Sequence, residues 1–102
     1  MSETLEQFIC FLEPTREGMP EAPTPEEGAL ARAHYEYCAR LRDEGTLILA
    51  GRTQSPPHVG VVIFEAPDRA AAERVIAQDP GVSGGIFKAR VQPYRVALAR
   101  TE

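Results

Sequence analysis

The sequence predicts an α+β domain of the ferredoxin-like β-α-β-β-α-β kind, a four-stranded antiparallel sheet with two helices on one face. Three observations lead there. Four short segments have the apolar content of strands, two longer ones have helical periodicity, and their order is that of the split βαβ arrangement. A chain of 102 residues supplies one core and not two, so residues 1–102 are read as a single domain.

The first strand is QFICFLEP, residues 7–14. Phe8, Cys10 and Leu12 alternate with Ile9 and Phe11, so both faces are apolar, and Pro14 ends the ladder because it has no N–H to give. Residues 13–25 form a proline-rich acidic loop, long for so small a domain and therefore a candidate functional loop. It closes on TPEE: Thr24 suits the N-cap, Pro25 the first helical position, and Glu27 completes a capping box. The helix is expected over residues 25–44, with Gly45 just past its end. At ~100° per residue, Leu30, Ala33, His34, Tyr37 and Leu41 share its inward stripe.

TLILAGRT, residues 46–53, and VGVVIFEA, residues 59–66, read as two further strands joined through QSPPH. Asp68 caps a second helix over residues 69–78, whose stripe of Ala72, Val75 and Ile76 continues at Asp79. Pro80 pushes the residue before it out of the α region, so this helix ends near Asp79. GVSGG is read as a flexible connector, and residues 86–96 as the last strand, with Phe87, Ala89 and Val91 opposing Lys88, Arg90 and Gln92.

Composition excludes several classes of function. The net charge is −4 and the basic residues do not cluster, which argues against a nucleic-acid partner. VGVVIFEA also lacks the stacking aromatics of an RNA-recognition sheet. No apolar run reaches the ~20 residues of a membrane span. MSETLEQ lacks the basic and apolar regions of a secretion signal, so a cytoplasmic location is expected. Cys10 and Cys38 lie in different elements and form no CxxC pair; they read as small buried hydrophobes. The second face of the sheet is apolar on three strands, and a second copy of the chain is expected to cover it as a homodimer. The alternative cover is the 13–25 loop.

His34 and Asp79 are the candidate site. Each has an ordinary reading, as a satisfied core histidine and as a helix stop before proline. Helices on one sheet face nevertheless bring both toward the same sheltered space, where an uncompensated charge is costly and pairing relieves it. A carboxylate on one imidazole nitrogen fixes the tautomer and leaves the other nitrogen for acid–base work. His34 and Cys38, four apart on a helix, have a metal-compatible spacing without an evident third ligand. His58, after Pro56-Pro57, reads as a solvated turn residue. Arg52 follows Gly51 at a strand end, where it reads as a surface residue or as a receiver of an anionic substrate.

The segments RAHYEYCARLRDEG, LILAGR and DPGVSGGIF, with the closing Pro93-Tyr94, resemble the YCII-related domain family over most of the chain. The helix histidine and the Asp-Pro pair are the most specific of these motifs. The resemblance implies a dimeric α+β barrel and a His34–Asp79 dyad near the dimer interface; no cofactor and no metal are expected. One branch of the family is associated with elimination from a halogenated aromatic ring. Tyr37, Arg52, Gly81 and Gly85 are expected to contact the ligand. The family often has an aromatic residue after Asp-Pro where this chain has Gly81, which predicts a wider pocket. Two functions follow: a cofactor-independent lyase- or isomerase-like enzyme acting on a small organic substrate, or a non-catalytic ligand-binding module at a dimer interface.

Overall fold

The computed structural model describes residues 4–100. Strand β1, Glu6–Pro14, is central, pairing antiparallel with β3, Gly60–Ala66, on one side and with β4, Phe87–Pro93, on the other. Strand β2, Leu47–Arg52, adds to β3 and gives the order β2-β3-β1-β4. The core is the inner half of the alternation read from the sequence: Phe8, Cys10 and Leu12 of β1 meet Val62, Phe64 and Ala66 of β3 under Ala72 and Ile76 of the second helix. Burying side chains of this size stabilises by about 1.5–3 kcal/mol each before entropy is counted. The fold class is the one predicted, and no helix among the described residues is long and apolar enough to cross a membrane.

Helix α1, Pro25–Asp43, starts as its sequence dictates. The Thr24 hydroxyl accepts from the Glu27 N–H, and Glu27 Oε1 accepts from the Thr24 N–H. The same carboxylate is gripped by Arg16 of the preceding loop, at 2.8 Å from Nε and 2.6 Å from Nη2. The Arg16 hydrogen bonds hold the Glu27 carboxyl down to about 2. The helix ends at Gly45, whose φ of 86° lets Gly45 N–H reach Arg42 O and Thr46 N–H reach Leu41 O.

Helix α2, Arg69–Ala77, is capped by Asp68 as expected. The segment after it is not a flexible connector. Pro80–Ser83 forms a short helix, α3, with Asp79 as its N-cap. Pro80 that stops α2 is also an ideal first residue for another turn. The last strand stops at Pro93 rather than continuing to Val96, because proline cannot extend the ladder. Beyond it the chain stays beside β1 through Tyr94 N–H to Gln7 O and Val96 N–H to Gln7 Oε1.

On the second sheet face Ile9 and Ile63 are buried, Phe11 and Val61 are half-buried, and Leu49 is exposed. The Arg90 guanidinium sits 4.6 Å from the Phe11 ring centroid. This face is apolar on β1 and β3 and charged on β4.

Candidate functional site

Asp79 is the organising residue. Proline at position 80 requires an extended residue before it, and Asp79 has φ −66° and ψ 124°. In that conformation Oδ1 accepts the Gly81 N–H at 2.8 Å and caps α3. Oδ2 then points at α1, where His34 Nδ1 lies 2.6 Å away. The carboxylate is 2 % exposed and the imidazole 20 %. Burial pushes the imidazole pKa down, but the hydrogen bond and charge of Asp79, with a smaller contribution from Cys38, outweigh it and raise His34 to about 9. The pairing thus favours the imidazolium, whose Nδ1–H donates to Asp79 Oδ2.

His34 lines a cavity of about 600 Å³ between α1 and the β2–β3 end of the sheet. Leu12, Leu47, Val62 and Phe87 give it apolar walls, while Cys38, Arg52 and His58 add polar groups. Cys38 Sγ lies 3.9 Å from His34 Nε2 and 4.0 Å from Nδ1, and Nε2 has no other hydrogen-bond partner among the described residues. His34, Cys38 and Asp79 each offer a donor atom within 4.8 Å of the other two, so Asp79 is a third potential donor that spacing alone did not reveal. Yet Nδ1 and both Asp79 oxygens are already engaged, and a metal bound by all three would have to break the ion pair.

Arg52 lies exposed on the cavity lining, as a receiver of anions would. Tyr37 does not reach the cavity: it is buried, and its hydroxyl donates to Val75 O at 2.6 Å, stapling α1 to α2. Gly85 also lies outside the cavity, in an exposed turn at φ 87°, where its carbonyl accepts from the Thr15 hydroxyl.

Gly81 is buried, and its role differs from the expected one. A Cβ there would stand 2.6 and 2.8 Å from Phe87 ring carbons and 3.2 Å from His34 Cβ. The aromatic wall is thus not missing. Phe87 supplies it from β4, edge-on to the His34 ring at a centroid distance of 5.0 Å. Gly81→Ala is expected to cost about 1–3 kcal/mol, since both neighbours must shift. Urea denaturation of the variant checks this, and an unchanged midpoint would contradict the close packing.

His58 is not a solvated turn residue. It has φ 59°, its side chain is 13 % exposed, and Nε2 lies 3.0 Å from Glu21 Oε2, an ion-pair distance without hydrogen-bond alignment. Nothing in QSPPH signals a partner 37 positions earlier in the 13–25 loop. Alternation marks Phe87 only as a strand residue, and its contact with His34 depends on the docking of α3, which periodicity does not reveal.

Comparison with known proteins agrees with this architecture. The structure is similar to 5-chloro-2-hydroxyhydroquinone dehydrochlorinase (TftG) from Burkholderia phenoliruptrix AC1100, in complex with 2,5-dihydroxybenzoquinone. The TM-score is 0.65 at 16% identity, over 86% of this chain and 93% of that one. It is also similar to SnoaB, a cofactor-independent oxygenase from Streptomyces nogalater, with TM-score 0.50 at 11% identity, over 96% and 98% of the two chains. PA3566 from Pseudomonas aeruginosa gives TM-score 0.50 at 20% identity, over 95% and 98%. These identities establish a shared fold. Among curated protein sequences nothing matches. The family model for the YCII-related domain matches residues 7–94, nearly the whole described chain, and the protein belongs to that family.

Proposed function

We propose that the protein is a cofactor-independent acid–base enzyme acting on a small, anionic, ring-shaped organic molecule, with His34 as proton donor and Asp79 as the group that orients and charges it. The observation that carries this reading is the 2.6 Å pairing of Nδ1 with a buried carboxylate at the wall of a cavity of about 600 Å³. A phenolate or enolate is attracted to the imidazolium and to Arg52, and its ring suits the apolar walls. The imidazolium gives its Nε2 proton to a ring carbon or a departing group of the bound anion, and solvent then reprotonates the neutral imidazole. Family membership and the likeness in fold to a dehydrochlorinase favour elimination or tautomerisation over hydrolysis.

The test is turnover on a panel of halogenated and unhalogenated hydroquinones and phenols, followed by ultraviolet absorbance and halide release. His34→Gln is expected to lower kcat by about 10²-fold or more. Because the donor is the protonated ring, the rate should fall as pH rises through about 9. Turnover that survives His34→Gln, or that rises through that pH, would end the reading.

The active form is a cytoplasmic homodimer with the second sheet faces packed together. The half-buried Phe11 and Val61 and the exposed Leu49 on that face support this, being costly to leave against water. Light scattering at micromolar concentration should return twice the chain mass of 11.2 kDa, and a strictly monomeric value would remove the dimer.

A further inference from the structure

Cys38 occupies a position that the acid–base reading does not use. Its sulfur lies on the lining of the same cavity, one helical turn beyond His34. The near-equal distances of 3.9 and 4.0 Å to Nε2 and Nδ1 put the sulfur off the axis of either nitrogen. The Nε2–H therefore makes no in-line bond to the thiol, and the cavity lining presents a sulfur nucleophile and a proton donor side by side. That pair suits conjugate addition: a soft nucleophile for carbon, and an acid for the oxyanion formed when it attacks.

We propose that Cys38 is a covalent capture site for conjugated carbonyl compounds, quinones above all. The Cys38 sulfur, having lost its proton to solvent, bonds to the β-carbon of the C=C–C=O unit. The π electrons move onto the carbonyl oxygen, and His34 Nε2–H protonates the enolate so formed. Solvent returns the proton to His34. The net change is addition of one S–H across one C=C bond, with no external oxidant or reductant. For a quinone the adduct is a thioether that tautomerises to the hydroquinone.

What distinguishes this thiol from an ordinary buried cysteine is its place on the cavity lining, 3.9 Å from a ring nitrogen that can protonate the enolate formed by its attack. Cys10 provides the contrast within the same chain. It is fully buried in the core, outside the cavity, and burial pushes its thiol up to about 11.

The inference rests on the preceding reading only for the admission of a small ring into the cavity; it does not require turnover. The experiment treats the full chain with 1,4-benzoquinone at neutral pH and follows intact mass and the modified peptide, with glutathione as the reference thiol. One quinone per chain on Cys38 is expected, at a rate at least about ten-fold above glutathione. Cys38→Ser should abolish the adduct, and His34→Gln and Asp79→Asn should each slow it by about ten-fold. Labelling no faster than glutathione, labelling on Cys10, or a rate unchanged by both His34→Gln and Asp79→Asn would overturn the proposal. The glutathione comparison needs only the unaltered protein, so it stands even where a variant fails to fold. Fast labelling of Cys38 without turnover on the hydroquinone panel supports the capture site and removes the acid–base reaction.

Discussion

Asp79→Ala lowers the unfolding free energy by about 3–5 kcal/mol, the range for removing one partner of a buried ion pair. The loss has two parts. His34 keeps its place on α1 but loses the acceptor 2.6 Å from Nδ1, and α3 loses the cap on the Gly81 N–H. Asp79→Asn separates them, because its amide oxygen can still accept from Gly81 while the negative charge is gone. The asparagine variant should therefore recover the capping share, about 1 kcal/mol. Its imidazole should titrate well below its wild-type value, because burial is then opposed by much less. Urea denaturation gives the first quantity and the imidazole C–H resonances give the second. An alanine variant within 1 kcal/mol of wild type would mean that the pair is not formed in solution.

The second large effect is on pH dependence. The folded pKa of His34 is raised from 6.5 to about 9, so the folded state holds its proton more tightly than the unfolded chain does. The stabilisation is fully present below about pH 6.5 and is lost as pH rises through about 9. A shift of this size corresponds to at most about 3 kcal/mol, a ceiling because the side chain is not wholly shielded from solvent. The buried Cys10 thiol, raised to about 11, also destabilises the folded state in strong base. The measurement is therefore a difference: wild type minus His34→Gln, from pH 6 to 10. The difference should shrink steadily across that window, and a flat difference would contradict the raised pKa.

The fold was legible because its determinants are local. Alternation in residues 7–14, TPEE at a helix start and Gly45 at its end each act through bonds within a few residues. The meeting of His34 and Asp79 was legible for a related reason. His34 lies on the inward stripe of α1, and the pull of Pro80 on the residue before it takes Asp79 out of the helix. What periodicity could not give was the destination of Asp79. Periodicity makes it the last position of the α2 stripe, whereas it opens α3, and Gly81 in α3 and Gly84 just after it pack Phe87 and α1 against bare backbone. A four-residue helix has too few positions to show a period. Gly81 was misread for the same reason: the residue that fills the space beside it comes from β4. Tyr37 was placed on the correct face, but its hydroxyl is taken by Val75 O, a backbone acceptor on another helix that no side-chain pattern marks.

Glu27 serves two masters: it closes the first turn of α1 and it anchors Arg16 of the preceding loop. Swinging that loop outward would strip the carboxylate of its guanidinium and loosen the start of the same helix that carries the imidazole. Through Glu21 the loop also touches His58 on the cavity lining. Loop and imidazole are therefore mechanically joined through the first turn of α1, and a displacement of the one is felt in the alignment of the other.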